Sequence, residues 1–122
     1  MKINKSFFGT TKQGKEVDLF TLENNFGTIV KIINYGATIT AILTHDKQGV
    51  LGDIALGFDN IEGYESTENP YFGSTCGRYA NRIKAASFQI NEEKFHLNKN
   101  DGNNTLHGGL KGFDKHIWDS TI

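Results

Sequence analysis

Apolar and polar side chains alternate through Thr38-Ile39-Thr40-Ala41-Ile42-Leu43-Thr44, the period of two that belongs to a strand with one covered face. The alternation assigns Ile39, Ala41 and Leu43 to one face and mostly threonines to the other. Asp46-Lys47-Gln48-Gly49 then supplies a turn, and Ile54, Leu56 and Phe58 resume the period of two. Phe88 and Ile90, followed by Phe95 and Leu97, flank Asn91-Glu92-Glu93-Lys94 and predict a hairpin. Upstream, Val17 and Leu19 alternate correctly but Phe20 and Leu22 continue in the opposite phase, which calls for a bulge or a strand covered on both faces. The stretch from Gly27 to Ile33 is apolar in both parities, so these strands expect more protein around them than one exposed sheet provides. One turn of helix is expected near Asn60–Glu65, where the β rhythm lapses. From Asn98 to Gly112 the period disappears, and the run reads as a structured loop. Lys115–Ile122 then starts another strand, whose unpaired edge, Trp118 and Ile122 ask for a neighbour, and the chain reads as cut there.

Composition agrees with an all-β chain. Isoleucine, phenylalanine and tyrosine dominate the apolar set, and glycine or asparagine punctuates them at short intervals. At 122 residues the chain is one domain at most, residues 1–122, able to bury roughly two-thirds of its unfolded surface. Thirteen basic and fourteen acidic residues are interspersed, and a net charge of −1 gives no field to attract a polyphosphate. Nucleic acid is excluded as an expected partner. No apolar run approaches the ~18 residues of a membrane span, so no membrane partner is expected. Polar residues break the N-terminal segment before it reaches signal length, and the lone Cys76 cannot form an internal disulfide. Both features point to a cytoplasmic protein. Cys76 itself reads as a small buried hydrophobe.

The candidate chemistry lies in two polar islands. His96, between Phe95 and Leu97, is expected to face solvent; His45 ends a strand, and His116, sharing parity with Trp118, is expected to be a partly buried packing residue. His107 differs, because it lies in a loop beside Gly108-Gly109, where a ligand could approach both imidazole and backbone. An imidazole there can exchange a proton or a hydrogen bond near neutral pH. The alternative is a ring that braces its own loop. Twenty-five residues earlier, Asn81-Arg82 offers fixed guanidinium donors and a carboxamide, groups suited to the hydroxyls of a neutral polyol. The alternative for Arg82 is a carboxylate partner at a strand end, and Arg78 is the more structural of the two arginines. Gly108-Gly109-Leu110-Lys111-Gly112 lacks the ending of a phosphate-binding loop. One cysteine and four histidines without ligand-like spacing give no metal site. Glu62, Glu65 and Glu68 read as a solvated turn.

Taken in order, Asn34-Tyr35-Gly36-Ala37-Thr38-Ile39, Leu56-Gly57-Phe58-Asp59, Tyr71-Phe72-Gly73, Gly77-Arg78-Tyr79-Ala80-Asn81-Arg82-Ile83, Leu106-His107-Gly108-Gly109 and Gly112-Phe113-Asp114-Lys115 with Trp118 resemble the aldose 1-epimerase (galactose mutarotase) family. The resemblance implies the N-terminal part of a galactose mutarotase-like β-sandwich. It also implies an enzyme that interconverts α and β anomers of monosaccharides such as galactose and glucose by general acid/base ring opening, without cofactor or metal. By the same resemblance Asn81, Arg82 and His107 are substrate-binding residues, and His107 is catalytic, assisting charge development near the ring oxygen. The family's second histidine and its glutamate base have no counterpart in this chain, so the isolated polypeptide is expected to be weakly active or inactive. A non-catalytic carbohydrate-binding β domain is the alternative.

Overall fold

The structure, a computed structural model, describes every residue from Met1 to Ile122. Its first half is an antiparallel meander of β1 (Lys2–Thr10), β2 (Glu16–Glu23), β3 (Ile29–Ile33), β4 (Thr38–His45) and β5 (Leu51–Asp53), each paired with its neighbour in sequence. The turn between β4 and β5 forms as expected. Asp46 Oδ1 accepts from the backbone N–H groups of Gln48 and Val50 at 2.8 and 2.9 Å, the side-chain chemistry that makes aspartate a turn residue.

Residues paired directly across two strands share a face. Val17, Leu19, Ile33, Thr38, Ala41 and Leu43 therefore line one side of the sheet, and Ile3, Phe20, Leu22, Ile32, Ile39 and Ile42 the other. The opposite phases of β2 are thus those of one regular strand with apolar residues on both faces. Its partner β1 carries the irregularity, between Phe7 and Gly9. In β4 the simple alternation does not hold. Lys31 pairs with Ala41 and Ile32 with Ile39, so Thr40 is an extra residue, and Ile39 faces away from Ala41 and Leu43. Thr38 takes the covered side instead, at 2 % exposure.

The covered side packs on α1 (Ile61–Glu65), the helical turn expected from the lapse in rhythm. Asn60 caps it, its Oδ1 accepting from the Gly63 N–H at 3.0 Å. Val17, Ile33 and Tyr35 from the sheet region meet Ile61 and Tyr64, with Phe8, Leu19, Phe58 and Ile117 around them. Each fully buried aliphatic side chain here contributes about 1.5–3 kcal/mol relative to exposure. The other side is only partly covered. Ile3, Phe20, Leu22 and Ile32 form with Ser120–Ile122 a hollow of about 230 Å³.

Two expected strands change. Ile54 and Leu56 are about 70 % exposed outside any strand, because pairing to β4 stops at Asp53. Asp53 Oδ1 turns back to accept from the N–H groups of Ile42 and Ala55, at 2.9 and 3.0 Å. After Phe113–Lys115, a short 3-10 turn, the expected strand reduces to one bridge between Tyr35 and Ile117. It is fixed by Gly36 N–H to His116 O at 2.7 Å and Trp118 N–H to Asn34 O at 2.9 Å.

Two further two-stranded ribbons lie in the second half of the chain. β6 (Arg82–Ile83) pairs with β9 (Thr105–Leu106), and β7 (Ser87–Ile90) with β8 (Glu93–His96). The hairpin β7–β8 is the expected one with a shorter turn, and Phe88 stacks on Phe95 across it at 5.2 Å between ring centres. No helix is long and apolar enough to cross a membrane.

Candidate functional site

The two polar islands meet in the β6–β9 ribbon. Arg82 pairs with Leu106 and Ile83 with Thr105, which sets Asn81 beside His107 at the end of the ladder. The His107 N–H donates to the Asn81 carbonyl at 3.1 Å, and the Asn81 N–H donates to Nδ1 of the His107 ring at 3.1 Å. A ring nitrogen that accepts carries no proton in the neutral imidazole, so Nε2 carries it and is a hydrogen-bond donor. The ring does brace its loop, through the backbone amide of Asn81.

Asn81 and Arg82 are also set by short bonds. Asn81 Oδ1 accepts from the Arg82 N–H at 2.8 Å, which commits the acceptor end of the carboxamide and leaves its Nδ2 donor end open. Arg82 Nε donates to Asp101 Oδ2 at 2.6 Å. The carboxylate partner weighed as the structural role for Arg82 is therefore real. It occupies Nε, however, and the two Nη groups hold no protein partner. Three kinds of donor result: an imidazole N–H, a carboxamide NH₂ and the outer edge of a guanidinium.

The backbone is unusual where these groups sit. Asn81, His107 and Tyr71 all have positive φ, at 63°, 52° and 64°. Left-handed conformations of residues other than glycine cost about 1–3 kcal/mol each and gather at functional sites, where surrounding contacts enforce them. The Gly108 beside the imidazole has φ 99°, and a Cβ there would run into the carbonyl oxygen of Gly77. The missing side chain thus lets the Gly77 backbone approach.

Two supporting residues carried no local signal in the sequence. The Tyr71 ring lies against the His107 ring at 4.7 Å and 60°. Asn100 grips the residue before His107 from both sides: its Oδ1 accepts from the Leu106 N–H at 2.7 Å, and its Nδ2 donates to the Leu106 carbonyl at 2.9 Å. The same Nδ2 also donates to the Tyr71 oxygen at 3.3 Å. The Tyr71 phenol is pushed up by burial and by the nearby Asp114 charge, so it stays neutral in the physiological range.

The remaining candidates separate cleanly. Arg78 lies over the Phe113 ring at 5.7 Å, a packing role. His96 is exposed as expected, and His45 ends β4. His116 is exposed rather than partly buried, because Ile117 takes the inward position of that segment. Cys76 is partly buried, and burial with the Asp114 charge pushes its thiol up, away from thiolate chemistry. Glu62 and Glu68 are exposed, and Glu65 accepts from the Lys12 N–H at 2.9 Å. No group of three or more His, Cys, Asp or Glu side chains is placed to hold a metal ion. A cavity of about 1070 Å³ includes Arg82, Gly108, Arg78, Phe113 and Trp118 in its wall but neither Asn81 nor His107. Arg82 thus borders that cavity, while the bonded Asn81–His107 pair lies outside its wall at the end of the ribbon.

Comparison with known proteins covers nearly the whole chain. The sequence model of the family described as Aldose 1-epimerase matches residues 18–121. The galactose mutarotase of Bos taurus is 42 % identical over 119 residues, which are 97 % of this chain and 34 % of that protein. An aldose 1-epimerase of Lactobacillus helveticus is 37 % identical over 119 residues, 98 % of this chain and 86 % of that sequence. Among solved structures, a galactose 1-epimerase from Lactobacillus acidophilus superposes with TM-score 0.74 at 36 % identity, covering 97 % of this chain and 34 % of that one. An aldose epimerase homologue from C. elegans gives 0.78 at 28 % identity, covering 98 % and 33 %. The chain spans about a third of the length of the mammalian mutarotases it matches.

Proposed function

The chain belongs to the aldose 1-epimerase family, and we propose on that premise that it carries the sugar-orienting part of a site that interconverts the α and β anomers of free aldoses such as galactose and glucose. The observation that supports this most directly is the reciprocal pair of bonds between Asn81 and His107, which joins two of the three candidate residues next to Arg82 in the chain. Opening the ring of an aldose requires a proton to leave the anomeric hydroxyl while the ring oxygen gains one. His107 offers Nε2–H toward that ring oxygen, where negative charge develops as the C1–O5 bond breaks. Asn81 Nδ2 and the Arg82 Nη groups donate to hydroxyls and fix the ring against rotation, which is the orientation term of catalysis. The open-chain aldehyde then turns about C1–C2 and recloses as the other anomer.

The base is a different matter. Asp101 is the carboxylate bonded to a residue of this site, and it is committed to Arg82. A chain spanning a third of its mammalian relatives is expected to draw its proton-transfer residues from the remainder of such a protein. Each positioned transfer is worth about 10²–10⁴ in rate, so the polypeptide alone is expected to bind the sugar and accelerate mutarotation weakly.

Calorimetry with galactose and polarimetry of α-galactose test both halves. Saturable binding that weakens roughly tenfold in Arg82→Ala and in His107→Ala supports the reading, a tenfold loss being about 1.4 kcal/mol. Failure of the wild-type chain to bind galactose overturns it. Binding with no acceleration at all favours a carbohydrate-binding module, and acceleration equal to that of a full-length relative overturns the claim that the site is partial.

A further inference from the structure

The turn that precedes β9 does more than connect strands. Asp101 N–H donates to the Asn104 carbonyl at 3.2 Å and Asn104 N–H returns to the Asp101 carbonyl at 2.9 Å, which closes a tight turn. Asn104 Oδ1 then accepts from the Ala85 N–H at 3.2 Å, three residues beyond Arg82. Asp101 is thereby fixed relative to the strand that carries Arg82. Its carboxylate meets Nε, the inner nitrogen of the guanidinium, at 2.6 Å.

From this arrangement we propose that Asp101 is a positioning residue for sugar recognition, holding the Arg82 guanidinium by its Nε edge so that both Nη groups are presented outward to a pair of sugar hydroxyls. The inference rests on the sugar-site reading above. An arginine has five N–H donors in a rigid fork, and pinning one edge fixes the plane and direction of the other four. The Arg82 side chain is 55 % exposed and Asp101 31 %, so the pair adds little to fold stability. Its contribution is the removal of side-chain freedom before the ligand arrives. Asn100, the preceding residue, holds Leu106 and touches Tyr71, so adjacent residues of one loop set the imidazole and the guanidinium.

The test is a double-mutant cycle on galactose affinity, with Asp101→Ala, Arg82→Ala and the double variant. Asp101→Ala is expected to raise the galactose Kd about tenfold, and to change it less than twofold when Arg82 is already alanine. Asp101→Asn keeps an oxygen acceptor at the same place and is expected to recover part of the loss. This isosteric variant keeps the comparison available if alanine disturbs the turn. The Arg82 Nε–H resonance, expected downfield and slow to exchange in the wild type, is lost in Asp101→Ala. A wild type that binds galactose and loses it in Arg82→Ala but not in Asp101→Ala overturns the role of Asp101 alone. Equal loss from Asp101→Ala in both backgrounds also overturns it. A wild type that binds no galactose overturns the sugar-site reading and this role with it.

Discussion

Asn81 and His107 hold each other by two hydrogen bonds of 3.1 Å, one from each backbone N–H, and the second ends on the ring nitrogen Nδ1. The bond to the ring uses the amide of Asn81 and not its side chain. At about pH 8, above the ordinary imidazole range, long-range ¹H–¹⁵N spectra are expected to show His107 with its proton on Nε2. Asn81→Ala should keep that tautomer while costing about 1 kcal/mol at its left-handed position. A proton on Nδ1 in the wild type would sink the donor role assigned to this histidine.

Gly108→Ala is expected to lower stability by about 2–4 kcal/mol, because it combines a left-handed φ with a collision against the Gly77 carbonyl. Gly102 is the control: its φ is 57° but a Cβ there would meet nothing within 4 Å. Gly102→Ala should therefore cost only about 1 kcal/mol. Thermal unfolding separates the two, with a fall of roughly 10 °C or more for Gly108→Ala. Equal midpoints for both variants would contradict the packing of the Gly77 segment on the Gly108 loop.

Alkaline stability follows from Tyr35. Burial first, and then the charges of Glu65 and Asp114, push its phenol up to about 12 from the usual 10. The folded state therefore holds the phenol proton more tightly than the unfolded chain. Its contribution, on the order of 2 kcal/mol, is complete below about pH 10 and is lost as the pH rises toward 12. Urea unfolding at pH 9 and pH 11.5 should show a drop in stability that Tyr35→Phe reduces. Tyr64 and Tyr71, also shifted upward by burial, keep a smaller slope in that variant. No difference between Tyr35→Phe and wild type would remove Tyr35 as the cause.

Alternation in the sequence was enough to place β4 and the β7–β8 hairpin, because a covered face imposes a period of two on the residues that line it. It misassigned Ile39, since a bulge inserts one residue without altering the string of apolar and polar letters. It also extended strands through Ile54–Phe58 and Lys115–Ile122, where side chains alternate but no neighbouring strand offers a ladder beyond Asp53 or Ile117. At the site, Asn81, Arg82 and His107 stood out by chemical type. Their mutual bonding depends on a ribbon of two residue pairs, too short to leave a period. Asn100 and Asp101 sit in a run of polar loop residues, where nothing local separates an anchor from a solvated side chain. Tyr71 could have been flagged only through Tyr71-Phe72-Gly73, one of the runs that carry the family resemblance.

The meander and the site differ in how far the chain must travel to make them. Every pairing in the five-stranded sheet joins consecutive strands across short turns, so little loop-closure entropy opposes its formation. The ribbon under His107 closes only when Arg82 finds Leu106, and the Tyr35–Ile117 bridge joins segments separated by most of the chain. Pairings of such sequence separation form late. Asn81, Arg82 and His107 therefore rest on a closure longer than any turn of the meander, and their alignment is expected to be lost before the sheet when the molecule opens.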